Sequence, residues 1–169
     1  MALIALVALV VVGSVVTALL FLWPATDEPA KVDAIVALGG DPGQRRAAYA
    51  LELAARGYAP TVLVSLGGYP PAPCPTAPRG VVVRCFRANP LDTRGEAEHF
   101  ASVAAQQRWR SAIVVPERTQ TTRARLLFGR CTGVSLRFVP VDDPLSKIPF
   151  YVLYEWGALT KALVLRPGC

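Results

Sequence analysis

The chain has 169 residues, a formal net charge of +6, four cysteines and one histidine. This length suits one domain of common size with a short appendage. The positive charges are scattered, with no run of five or more. Charge alone therefore does not indicate a nucleic-acid-binding protein, and no nucleic-acid partner is predicted.

The N-terminal segment 1–23 is predicted to be a transmembrane anchor. No charged residue occurs from Ala2 to Leu22, and about 20 helical residues cross the ~30 Å hydrocarbon core of a bilayer. Trp23 would suit the lipid interface. A cleaved signal peptide and a buried helix are the alternatives. The lack of a cationic start and of a small-residue cleavage site favours an anchor that is retained.

A polar linker is predicted at 24–32, and the rest of the chain, 33–169, alternates apolar runs with amphipathic stretches. Strands are predicted at 33–40, 61–68, 81–86, 111–116 and 134–141, and helices at 44–57, 93–108, 121–130 and 149–165, with a Pro-rich loop at 69–80. Thr93 followed by Glu96 indicates a capping box at the start of its helix. The aromatic residues of the last helix, Tyr151, Tyr154 and Trp156, are expected mainly in the domain core.

Strands that are apolar throughout and alternate with helices predict an α/β fold. We expect a three-layer, Rossmann-like open parallel sheet, preceded by one transmembrane helix. Ligands of such sheets bind outside the carboxyl ends of the strands. The predicted loops at this edge contain Gly39 and Gly40, then Ser65 with two further glycines, and then residues 117–122.

The four cysteines allow three pairings, and we predict Cys74–Cys85 and Cys131–Cys169. The first pair brackets the Pro-rich loop, and the second would pin the C-terminal tail. Because disulfides persist in oxidising compartments, the folded domain is expected on the extracytoplasmic side of the plasma membrane, behind a single-pass anchor. Free or metal-binding thiols are the alternative. A single histidine and the absence of a C-x-x-C motif disfavour zinc, and no metal site is predicted.

Glycines between a strand and a helix N-terminus offer backbone N–H groups that attract anions. The first loop is neither G-x-G-x-x-G nor a P-loop, which disfavours a dinucleotide or an NTPase. The alternative is that the glycines only permit the turns. Ser65 lacks a G-x-S-x-G context and is expected to donate a hydrogen bond rather than act as a nucleophile. His99 is expected at the surface.

Several segments together resemble the YdcF-like family of SanA/ElyC-like envelope proteins. They are "IVALGG", "RAAYALELAARGYAPTVLVSLGG", "TRGEAEHF" and "TTRARLLFGRC", within residues 33–165. The resemblance implies a Rossmann-like domain behind a membrane anchor and a role in cell-envelope integrity, through peptidoglycan or carrier-lipid metabolism. It also implies that a nucleotide-like ligand such as S-adenosylmethionine is possible, although the sequence itself requires no cofactor.

Seven residues match family positions: Gly39, Gly40, Arg46, Ser65, Gly68, Thr93 and Arg123. The chain departs from the family where Gln120 replaces a usual histidine and where Leu66 is inserted into a Ser-Gly-Gly motif. Glutamine cannot exchange a proton near neutral pH, so this departure favours binding over catalysis.

The expected function is therefore binding of a small anionic ligand during cell-envelope maintenance, next to the lipid bilayer. Candidates are a nucleotide-like molecule and the pyrophosphate head of an envelope lipid precursor. One alternative is a transferase or hydrolase acting on envelope precursors, with Glu96 or Glu117 as general base. Another is a noncatalytic scaffold whose final helix docks a partner. The predicted ligand-binding residues are Gly39, Gly40, Arg46, Ser65, Gly67, Gly68, Thr93, Gln120 and Arg123.

Overall fold

A computed structural model describes residues 1–40, 44–68, 71 and 73–169. Parts of two predicted loops, residues 41–43 and residues 69, 70 and 72, lie outside this set. The helices are α1 (Ala2–Thr17, continued by a π-helical turn Ala18–Leu22), α2 (Arg45–Ala55), α3 (Thr93–Gln107), α4 (Thr121–Cys131) and α5 (Ile148–Thr160, continued by a π-helical turn Lys161–Leu165). The strands are β1 (Ala34–Ala37), β2 (Thr61–Ser65), β3 (Val82–Phe86), β4 (Ser111–Val115) and β5 (Ser135–Phe138), and a short 3-10 turn (Leu145–Lys147) precedes α5.

The five strands form one parallel sheet in the order β3-β2-β1-β4-β5. Strand β1 is central, and its residue Ile35 lies in register with Val62 of β2 and Ile113 of β4. The chain leaves β1 toward β2 and β3, and later crosses back to β4. This order creates a topological switch point between β1 and β4, where ligands of open α/β sheets bind. The predicted α/β fold with a parallel sheet is confirmed.

Both faces of the sheet are covered, because side chains of a strand point alternately to opposite sides. Ile35 and Ala37 contribute to a cluster with Leu53 of α2. Val36, between them in sequence, belongs to a second cluster with Phe100 of α3 and Phe128 of α4. Burial on both sides explains why the three central strands, β1, β2 and β4, are apolar almost throughout. The edge strands β3 and β5 instead alternate, with Arg84 and Arg137 exposed.

The N-terminal helix is long enough and apolar enough to cross a membrane. Its 21 residues, Ala2–Leu22, have a mean hydropathy of 2.9, and the segment is not buried against the domain. Its last turn is an exception, since Phe21 is fully buried. The following segment is fastened to the sheet: the backbone N–H of Asp27 donates to Phe138 at 2.9 Å, and the Asp27 carboxylate accepts from the N–H of Phe138 at 2.8 Å.

Both predicted disulfides are present. Cys74 and Cys85 have their Cα atoms 5.9 Å apart, and Cys131 and Cys169 have theirs 4.9 Å apart. The second bridge joins the end of α4 to the last residue of the chain, as expected.

Two local predictions are wrong. The N-cap of α3 is Asp92, whose carboxylate accepts from the backbone N–H of Gly95 at 3.0 Å. Because an extended Asp92 already caps the helix, Thr93 is the first helical residue and Glu96 does not complete a capping box. The last helix is also less buried than expected: only Glu155, Leu159 and Ala162 are buried along it.

Candidate functional site

A cleft of about 360 Å³ opens at the carboxyl edge of the sheet, around the switch point. Helices α2, α3 and α4 begin at this edge, so the positive ends of their dipoles point toward it. All the predicted site residues line this one cleft: Gly39, Gly40, Arg46, Ser65, Gly67, Gly68, Thr93, Gln120, Arg123, Glu96 and Glu117. The structure thus brings together residues from four separate segments.

The glycine loops after β1 and β2 touch each other at the floor of the cleft. A Cβ atom on Gly67 would lie 2.3 Å from the backbone nitrogen of Gly40, and one on Gly39 would lie 2.7 Å from the backbone nitrogen of Gly67. These approaches are too close for any side chain. Gly40 and Gly68 both have φ of +87°, a conformation that other residues rarely adopt. The packing of the two loops therefore requires glycine at these positions, independently of any ligand.

Arg46 is buried on the wall of the cleft, with 2 % of its surface exposed. Its guanidinium donates to the carbonyl oxygen of Gly39 and, at 2.8 Å, to the side-chain oxygen of Gln120. The amide nitrogen of Gln120 in turn donates to the Thr93 hydroxyl at 2.8 Å. Gln120 therefore links α2 to α3 across the switch point.

Arg123 is also buried, with 7 % of its surface exposed. It forms a two-pronged ion pair with Glu155 of α5, with both N–O distances at 2.7 Å. Its third bond, at 2.8 Å, is donated to the Thr93 hydroxyl. Neither Arg46 nor Arg123 lies on a solvated helix face, the ordinary position of an arginine.

Glu96 is a buried carboxyl group of the cleft, with 5 % of its surface exposed. One of its oxygens accepts from the backbone N–H of Gly39 at 2.6 Å. Burial raises the pKa of the Glu96 carboxyl, and the hydrogen bonds from Gly39 and Ser65 and the charges of Arg46 and Arg123 oppose this rise without cancelling it. A carboxyl with a raised pKa in a cleft is a candidate proton donor or acceptor.

The Ser65 hydroxyl lies close to Glu96, near enough to lower the pKa of that carboxyl. Its oxygen is buried and, among the described residues, meets no partner at good hydrogen-bonding geometry. A buried hydroxyl without a well-aligned partner is costly. The Ser65 hydroxyl, which was expected to donate to a ligand, is thus, within the described residues, an unsatisfied polar group beside the cleft.

Glu117 lies at the rim of the cleft, where it bridges to Arg45 at 2.7 Å. Its side chain is 13 % exposed, and Arg45 is 38 % exposed. The Glu117 carboxylate is therefore already paired with a partly exposed cation. Of the two candidate bases, Glu96 has the environment of a proton-transferring group.

Helix α5 and the flanking loops contribute residues to the cleft that were not predicted. Eight further residues that line the cleft are Ala88, Leu91, Asp92, Thr119, Phe150, Tyr151, Tyr154 and Glu155. The role of Glu155 could have been predicted from the sequence, because it is the only acidic residue in an otherwise apolar helix. A lone carboxylate in such a helix requires a buried partner.

His99 is outside the cleft lining and only partly buried, rather than fully at the surface as expected. Its ring stacks on Phe86, with centroids 4.0 Å apart and an angle of 8° between the planes. Burial lowers the pKa of its imidazole. Within the described part of the chain, no cluster of three or more His, Cys, Asp or Glu residues is arranged to hold a metal ion.

The fold and the cleft define a class: a Rossmann-like parallel α/β domain with a polar cleft at its switch point, behind an apolar helix long enough to cross a membrane. Comparisons with protein-family models, with curated proteins and with solved structures found no match to this chain.

Proposed function

We propose that this is a membrane-anchored protein of the YdcF-like type whose extracytoplasmic domain binds a small anionic ligand during cell-envelope maintenance. The observation that carries the proposal is the pair of buried guanidinium groups, Arg46 and Arg123, on one open cleft with two glycine loops. Guanidinium groups suit phosphate oxygens, and backbone N–H groups at helix N-termini add further donors. A nucleotide-like molecule and a lipid-linked pyrophosphate both carry this chemistry.

The two disulfides support an extracytoplasmic domain, because such bonds persist where thiols are not kept reduced. The apolar helix α1 supports a single-pass anchor in the plasma membrane. Cysteine accessibility to a membrane-impermeant thiol reagent in intact cells, after reduction, would test the orientation. Labelling that requires cell lysis would contradict it.

The binding proposal is tested with inorganic pyrophosphate as the probe, by calorimetry on the full chain in detergent. Arg46→Lys removes the guanidinium fork, and we expect it to weaken pyrophosphate binding at least about tenfold. Arg56→Lys is the matched control at the end of the same helix. Arg56 is exposed outside the cleft, where it pairs with Glu52 one turn away at 3.5 Å and lies over the Tyr58 ring. Equal affinities of the two variants would contradict the proposed site.

A second function, a transferase or hydrolase acting on envelope precursors, is favoured by the buried Glu96 carboxyl. Its raised pKa and its position on the cleft suit proton transfer. The test is release of phosphate from a pyrophosphate-bearing lipid precursor. We expect Glu96→Gln to abolish turnover while retaining pyrophosphate affinity, since the amide keeps one oxygen for the Gly39 N–H. If the wild-type chain binds pyrophosphate but releases no phosphate, the protein is a binding module.

A further inference from the structure

Helix α5 and the turn that follows it present a continuous apolar face that the domain leaves uncovered. Phe150, Leu153 and Val164 are 66 %, 74 % and 69 % exposed. The opposite face is attached to the domain: Leu159 is buried, and Arg130 of α4 donates to the carbonyl oxygen of Ala162 at 2.9 Å. The exposed face is therefore held in a fixed position.

The same helix contacts the end of α1 that the membrane would contain. The indole nitrogen of Trp156 donates to the Thr17 hydroxyl at 3.2 Å. Its ring meets the ring of Phe21 edge-on, with centroids 5.2 Å apart. Thr17 lies five residues before Leu22, the end of the apolar segment. At 1.5 Å per residue, this contact is about 7 Å inside the apolar segment.

Helix α4 supports the same placement, because the Thr122 hydroxyl donates to the carbonyl oxygen of Leu20. The domain is therefore fastened along the last turns of α1, rather than suspended on a flexible tether. A bilayer that surrounds α1 would reach the middle of α5. The apolar segment of α1, at about 1.5 Å per residue, is about as long as the hydrocarbon core is thick, so α1 has little length to lift α5 clear of the lipid.

The composition of α5 also matches a lipid interface. Tyr154 and Trp156 are amphipathic aromatic residues of the kind found at the level of the head groups. Lys147, Lys161 and Arg166 are exposed near or beyond its ends. The one acidic residue between them, Glu155, is buried in the ion pair with the arginine of α4. The exposed charges on this helix are thus all positive, which suits anionic lipids.

We propose that α5 is an in-plane membrane helix that inserts its apolar face into the lipid surface of the membrane that α1 spans. The bilayer is favoured over a second copy or another protein because the face is continuous with the lipid-facing end of α1. Since Phe150 and Tyr154 also line the cleft, the cleft then opens beside the lipid head groups.

The test is spin labelling of the full chain in nanodiscs containing phosphatidylglycerol. Leu153→Cys and Val164→Cys each add one labelled thiol on the exposed face of α5, where a label needs no repacking of the core. Ala55→Cys, exposed on α2 on the other side of the sheet, is the matched control. Collision rates with molecular oxygen, which is enriched in lipid, are compared with those of a water-soluble nickel chelate.

We expect labels at positions 153 and 164 to collide more with oxygen than with the nickel chelate, at a depth of about 5–10 Å below the head groups. The label at position 55 should show the reverse. Nickel accessibility at 153 and 164 equal to that at 55 would overturn the proposal. So would labels shielded from both reagents, because a second copy or another protein would then cover the face.

Discussion

The ion pair between Arg123 and Glu155 provides the sharpest test of how the cleft is held. The side chains are 8 % and 4 % exposed, and two N–O contacts of 2.7 Å join them. Replacing one partner leaves the other charge buried without compensation, which costs about 3–5 kcal/mol. Replacing both with apolar residues of similar size is often nearly neutral, because the desolvation cost of both charges disappears as well.

We therefore expect Arg123→Met and Glu155→Leu each to lower the free energy of unfolding by about 3 kcal/mol or more, and the double variant to recover most of this loss. For a chain of this length, 3 kcal/mol corresponds to a fall in Tm of roughly 10 °C. The assay is thermal unfolding of the full chain in detergent, followed by circular dichroism. If the double variant loses the sum of the two single losses, the pair is not a coupled buried ion pair and the reasoning fails.

Three further results are expected from unfolding measurements on the same preparation. Gly67→Ala should destabilise the chain strongly, because its Cβ would lie 2.3 Å from a backbone nitrogen of the loop after β1. Gly157→Ala, with open space around its Cβ, should not destabilise it. Equal losses of stability in the two variants would contradict the described packing. Loss of the Cys131–Cys169 bridge, by replacing both residues with serine, should cost about 4 kcal/mol for its sequence separation of 38, and an unchanged Tm would refute this. The pKa of Glu96 is raised in the folded state, so its contribution to stability is full below the ordinary glutamate pKa of about 4.3 and is lost as pH rises toward the folded value. The free energy of unfolding of Glu96→Gln, relative to that of the wild type, should therefore rise between acidic and neutral pH. Parallel pH profiles of the two proteins would contradict this expectation.

The sheet was predictable because its central strands β1, β2 and β4 are apolar on both faces and all five strands are bounded by turn residues. Its strands are shorter than predicted, as β1 shows by ending at Ala37 instead of Gly40. The predicted strand contained the glycines that turn the chain into the cleft, and apolar composition alone does not separate a strand from the loop that continues it. The cap of α3 was misplaced for a related reason: Asp92 and Thr93 are both good N-caps, and only the backbone conformation distinguishes them.

The site was predictable in its location but not in its bonding. The strand order of an open α/β fold places the loops after β1, β2 and β4 at one edge, so the residues of those loops converge. The partners could not be read from spacing, because the bonds join residues far apart in sequence. Arg123 and Glu155 are 32 residues apart, and Arg46 and Gln120 are 74 apart. Burial of α5 was overestimated because apolar composition does not distinguish a helix in the core from one whose apolar face the domain leaves exposed.

Gln120 stands where the YdcF-like pattern that the sequence resembles has a histidine, and its contacts show what an amide does at this position. Its oxygen accepts from Arg46 while its nitrogen donates to Thr93. A neutral imidazole can also accept and donate, but an imidazolium can only donate, and between Arg46 and Arg123 its charge would be repelled from both sides. An amide keeps both bonds at every pH. Glutamine at this position therefore holds Arg46 and Thr93 in place. Glu96 is the cleft's candidate for proton transfer.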